Sequence, residues 1–167
     1  MRSIRILIAD DHTLLRNALT ELLHMEKDFE VVAVAGDASE AVRRAAEHQP
    51  DVVLLDIQMP GNDHPPTTLQ RFRRVAPAAQ VLVLTMYDDA RLAKELLPLG
   101  IRGYLHKAVT ARALASAVRE ASSPASTVTL SLSPEMLAAT PRRPGSAVRF
   151  SRRAPGRRRG RARRAAR

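Results

Sequence analysis

The chain of 167 residues contains no cysteine and no tryptophan, and its few aromatic side chains are three Phe and two Tyr. Without Cys, neither a disulfide framework nor a thiolate zinc site can form. The five histidines include no pair at the His-x-x-x-His spacing of a helical metal site. Long apolar runs are missing as well. The N-terminal run Ile4–Ala9 stops at two aspartates, too short and too acidic for a signal peptide or a membrane span. A cytoplasmic location follows by default. Residues 141–167 lack both lysine and acidic residues while holding 12 Arg; removing those 12 from the net +10 leaves −2 for residues 1–140. So sharp an asymmetry marks a boundary between two parts of different physical character.

The acidic front part alternates short β-branched runs with helical patterns. Strands are expected at 4–9, 30–35, 52–56, 80–85 and 103–106. Between them, Leu15, Ala18, Leu19, Leu22 and Leu23 form one helical face, and Ala41, Ala45 and Ala46 form another behind Ser39 as N-cap. Leu69, Phe72 and Val75 make a third stripe ended by Pro77, and Leu92, Leu96 and Leu97 a fourth closed by Pro98 and Gly100. The fifth carries Leu114, Ala117, Val118 and Ala121 behind Thr110. Five βα units predict one α/β domain, a doubly wound five-stranded parallel sheet.

In such a sheet the strand C-termini share one edge, where distant residues converge. Asp10 and Asp11 end the first strand, Asp56 the third, and Lys107 follows the fifth. Carboxylates gathered there would repel one another. A hard divalent cation relieves that, and Mg²⁺ suits carboxylates, a carbonyl and retained water. Asp10 or Asp11 alone also suits a helix N-cap, whereas Asp56 closes a fully apolar strand and needs a partner. His12 and His106 flank this edge as rim residues.

These residues resemble the receiver domain of bacterial two-component response regulators, over residues 3–121. The motifs are Asp10-Asp11-His12, Leu55-Asp56-Ile57-Gln58-Met59-Pro60-Gly61, Leu84-Thr85 and Gly103-Tyr104-Leu105-His106-Lys107, each at its own strand end and in order. The resemblance implies a flavodoxin-like (βα)₅ receiver. Asp56 would be the phosphoacceptor for a sensor histidine kinase. Mg²⁺ would be held by Asp10, Asp11, Asp56 and the backbone carbonyl of Gln58. Lys107 and Thr85 would bind the phosphoryl group, with Thr85 and Tyr104 as the switch pair. Ala108 after the lysine, where many receivers carry proline, and the Asp-Asp-His opening are usual in the NarL/LuxR type. The loop Gly61–Pro66 lacks a second glycine common in the family. A hydrolase of the haloacid-dehalogenase type also pairs a strand-end Asp with Mg²⁺ and lysine. It wants a second Asp two residues on, however, where Gln58 stands, so steady phosphatase turnover is not expected.

By this reading residues 1–121 are the receiver, 122–140 a linker and 141–167 an Arg-rich disordered tail. Thr127–Leu132 reads as strand-like and Ser133–Leu137 as one helical turn. NarL/LuxR-type regulators carry a C-terminal helix-turn-helix that reads DNA, yet residues 141–167 show no apolar stripe of that kind. Two accounts of the tail compete. A polycation including Arg157, Arg158 and Arg159 would bind nucleic acid through phosphates, without base selectivity. With Phe150 as its one aromatic, it gives little support to stacking on single strands. Alternatively, all 14 residues of Ala154–Arg167 are Ala, Pro, Gly or Arg, whose codons can consist of G and C alone, which favours a frameshift that replaced the DNA-binding domain. Such a product would accept phosphate, dimerise on phosphorylation, and act through protein contacts or as a phosphate sink.

Overall fold

Apolar runs of four to six residues without alternation demand burial on both faces. The computed structural model, which describes residues 2–87, 89–124 and 128–131, meets that demand with a parallel sheet covered by helices on both sides. The strands are β1 (Ile4–Ala9), β2 (Phe29–Ala35), β3 (Val52–Asp56), β4 (Gln80–Thr85), β5 (Gly103–His106) and β6 (Thr129–Leu130), in the spatial order β2-β1-β3-β4-β5-β6. The helices are α1 (Thr13–His24), α2 (Ala38–His48), α3 (Pro65–Val75), α4 (Ala90–Leu96) and α5 (Ala111–Ser122). Leu7, Val53 and Val83 face one core with α2, α3 and α4. Ile6, Leu54 and Leu82 face the other with α1 and α5. The doubly wound α/β class is therefore as the sequence foretold. Among the described residues, no helix is long and apolar enough to cross a membrane.

Local chemistry corrects several details. α2 is capped by Asp37 rather than Ser39: its carboxylate accepts the Glu40 N–H at 2.8 Å, and Glu40 accepts the Gly36 N–H at 3.1 Å in return. The buried face of α2 runs through Ala38, Ala41, Val42 and Ala45, leaving Ala46 exposed. On α1, Leu23 is buried, Leu15, Leu19 and Leu22 are half-buried, and Ala18 is exposed. α4 stops at Leu96 and continues as a single 3₁₀ turn over Leu97–Leu99. Gly100 closes that turn at φ +80°, a left-handed conformation suited to glycine.

The sheet has one strand more than the five foreseen. Within the strand-like stretch 127–132, Thr129–Leu130 pairs in parallel with β5, with Thr129 N–H donating to Arg102 O and Ser131 N–H to Tyr104 O, both at 3.0 Å. Gly103 makes room: a Cβ there would lie 3.0 Å from Thr129 O and 2.6 Å from Leu82 Cδ2. The helical turn foreseen at Ser133–Leu137 and the arginines Arg157, Arg158 and Arg159 lie outside the described residues.

Candidate functional site

β1 lies between β2 and β3, so the chain leaves β1 to one side and then returns past it to the other. That reversal opens a crevice at the strand C-termini, the usual ligand position of such sheets. Asp10 and Asp11 follow β1 at this point and Asp56 ends the adjacent β3.

Four side chains meet there. Lys107 Nζ lies 2.7 Å from Asp10 Oδ2 and 2.8 Å from Asp56 Oδ2, with all three side chains at most 4% exposed. Asp10 Oδ1 accepts the His12 N–H at 2.8 Å, and Asp56 Oδ1 accepts the Gln58 N–H at 2.9 Å. Neither Asp10 nor Asp11 caps α1, since His12 occupies the N-cap position without a side-chain cap bond. Asp11 is 34% exposed at the mouth, with His12 Nδ1 3.1 Å from its Oδ1. One ligand atom from each of Asp10, Asp11, His12 and Asp56 falls within 4.8 Å of the others. The sequence reading placed His12 only on the rim.

Burial alone would push the Lys107 ammonium toward a lower pKa. The negatively charged carboxylates of Asp10 and then Asp56, in close contact with the ammonium, outweigh it and hold the lysine above its ordinary value. With three carboxylates against one ammonium, the cluster keeps an excess of two negative charges. Asp10 Oδ2 is buried and makes no hydrogen bond of good geometry, the lysine ammonium being its close contact. The three carboxylates of Asp10, Asp11 and Asp56, with that imbalance and a buried oxygen open to further coordination, fit a small, hard divalent ion.

The remaining sequence candidates surround this centre. Thr85 ends β4 beside β3 and is buried. Its hydroxyl donates to Tyr87 O at 3.2 Å and accepts the Tyr87 N–H at 3.1 Å, so it engages its own loop. Tyr104 sits in the core on β5, opposite Val83 of β4 and Leu130 of β6. One contributor was missed, and another, His106, was read only as a rim residue. Asn62 is buried, and its side-chain amide donates to Ile57 O at 2.8 Å and Asp56 O at 3.4 Å, stapling the loop after β3. A polar residue six beyond Asp56, in the loop after the apolar strand β3, was the available signal. His106 bridges two loops beside Lys107, as described below.

A doubly wound sheet with buried acids and a lysine at its switch point defines the class: an α/β domain with an acidic, lysine-bearing crevice at its strand C-termini. The chain belongs to the response regulator receiver domain family, whose model matches residues 6–119. It is 36% identical over 116 residues to the oxygen regulatory protein NreC of Staphylococcus haemolyticus, covering 70% of this chain and 54% of that protein. It thus spans about half the length of the curated relatives it matches. The receiver domain of the response regulator NarL from Mycobacterium tuberculosis superposes with TM-score 0.70 at 27% identity, covering 75% of this chain and all of that one. A LuxR-family response regulator from Aurantimonas gives TM-score 0.70 at 29% identity over 81% of this chain and 94% of that one. The domain is a NarL/LuxR-type receiver of two-component signalling, a class that acts mainly as a phosphoacceptor and binds Mg²⁺ at an acidic pocket.

Proposed function

We propose that Asp56 is the phosphoacceptor, taking a phosphoryl group from a phosphohistidine of a sensor histidine kinase. The observation that carries this reading is the buried Lys107 ammonium held between Asp56 and Asp10. A carboxylate oxygen of Asp56 forms the bond to phosphorus and the P–N bond breaks. Its electron pair returns to the departing imidazole, leaving an acyl phosphate. Phosphoryl transfer needs positioning and charge neutralisation more than covalent help. Lys107 already contacts the oxygen where charge gathers and stays protonated throughout, because its pKa is held up. Asp10, Asp11, Asp56 and the Gln58 carbonyl would hold Mg²⁺, which supplies charge neutralisation for the phosphoryl oxygens. Asn62 fixes the loop that carries Gln58. Thr85 must leave Tyr87 before its hydroxyl can donate to the new phosphoryl group, and the vacated space beside β5 lets Tyr104 respond.

The site accepts a group rather than turning over esters, since Gln58 offers no acid where a hydrolase needs one. Partners on this reading are the kinase and a second phosphorylated copy, while residues 141–167 supply at most unselective contacts to polyanions. Incubation with acetyl phosphate and Mg²⁺ should add one phosphoryl group by intact mass. Asp56→Asn or chelation should abolish the adduct. An adduct that persists in D56N would refute the assignment.

A further inference from the structure

His106 ends β5, and its ring joins two loops. The Ala108 N–H donates to Nδ1 at 3.0 Å, and Nε2 lies 2.8 Å from the carbonyl oxygen of Met86. A nitrogen that accepts an N–H carries no proton of its own, so the ring proton sits on Nε2 and is donated to Met86 O. The last backbone rung between the two strand ends is Lys107 N–H to Thr85 O at 2.7 Å. The imidazole adds one more rung just beyond it.

Both loops carry groups of the site. Thr85 directly precedes Met86, and Lys107 stands between His106 and Ala108. The Met86–Tyr87 segment has little packing to hold it: these side chains are 54% and 60% exposed. In this arrangement the segment keeps the Thr85 hydroxyl engaged on Tyr87. Movement of Thr85 toward Asp56 requires the segment to shift, and the His106 bond opposes that shift.

We propose that His106 is a positioning residue, a latch whose Nε2–H pins the Met86 carbonyl and stabilises the resting position of the Thr85 loop. The proposal rests on the phosphoacceptor reading above. Its consequence is a raised threshold for the phosphoryl-bound state. A ligand that needs Thr85 turned inward binds more weakly than the pocket alone would allow, because part of its interaction is used to break the latch.

Two readouts on the full chain test this. Histidine-selective ¹⁵N NMR should show His106 as the neutral Nε2–H tautomer; the Nδ1–H form, or averaging between the two, would overturn the geometry. Calorimetric titration with beryllofluoride in Mg²⁺ then reports the phosphoryl-bound state. His106→Leu should bind about 3- to 10-fold tighter than wild type, the worth of one hydrogen bond lost from the resting loop. His106→Gln, whose amide offers both a donor and an acceptor, should stay within about 2-fold of wild type. Equal or weaker binding by H106L, or H106Q following H106L, contradicts the latch. Should H106L fail to fold, the tautomer and H106Q decide. A wild-type chain that does not bind beryllofluoride at all refutes the phosphoacceptor reading itself, whatever the tautomer shows.

Discussion

Replacing Lys107 by Met shortens the side chain by one atom and removes its charge, so the effect comes chiefly from the ion contacts. Two buried carboxylates, Asp10 and Asp56, then lose a cation at 2.7 and 2.8 Å. Removing one partner from a buried ion pair typically destabilises by about 3–5 kcal/mol, because the other charge stays behind without compensation. Against a domain stability of about 5–15 kcal/mol, that is a large fraction. For a urea dependence of about 2 kcal/mol/M, the unfolding midpoint should fall by about 2 M in EDTA. Added Mg²⁺ should narrow the gap by supplying the missing positive charge. The pH dependence has a definite sign. The folded-state pKa of Lys107 lies above the ordinary 10.5, so its stabilisation is fully present below 10.5 and is lost only as pH rises through the folded value. Urea melts of both proteins from neutral to strongly alkaline pH should therefore show a constant gap that closes at the alkaline end. Coincident midpoints in EDTA at neutral pH would refute the view of Lys107 as the charge that balances the site.

Asn62→Ala should cost about 1–3 kcal/mol by leaving buried carbonyls without their donor. It should also weaken Mg²⁺ binding by calorimetry; unchanged affinity would separate the staple from the cation site. Gly103→Ala places a Cβ 2.6 Å from Leu82 Cδ2 and 3.0 Å from Thr129 O, an overpacking of about 1–3 kcal/mol. Hydrogen exchange should show faster loss of the Thr129 and Ser131 amides than in wild type. Asp28, on the surface, accepts hydrogen bonds from Arg119 and has a pKa below its ordinary 3.8. Its stabilising contribution is therefore present above 3.8 and lost as pH falls through the folded value. A carboxyl NMR titration should place its midpoint below 3.8, and Arg119→Ala should bring it back up.

Five strands and five helices were legible because continuous apolar runs and stripes of period 3.6 both survive in the sequence. The acidic edge was legible for a topological reason: any parallel winding sends Ala9, Leu55 and His106 toward the same rim. Finer features depended on choices that letters do not express. Asp37 and Ser39 are both good caps, and only the start of α2 at Ala38 selects the aspartate. Ala45 and Ala46 carry the same apolar letter, yet one turns to the core and the other to water. That Lys107 reaches Asp10 as well as Asp56 depends on side-chain length across β3 and β4, which no spacing in the sequence records. Thr127–Leu132 was recognisable as strand-like, but the parallel place of Thr129–Leu130 beside β5 depended on the bare backbone at Gly103. The parts played by Asn62 and His106 were hidden for a related reason. Each acts by satisfying carbonyls of a loop whose path is known only once folded.

The most direct test of Asp56 as phosphoacceptor is to phosphorylate the chain with acetyl phosphate and Mg²⁺, reduce the acyl phosphate with borohydride, and sequence the peptides by mass spectrometry. Reduction converts a phosphorylated aspartate to homoserine, leaving a permanent mark. Homoserine at position 56, with Asp10 and Asp11 intact, is the predicted result. Homoserine at position 10 or 11, or phosphorylation with no aspartate converted, would contradict the account.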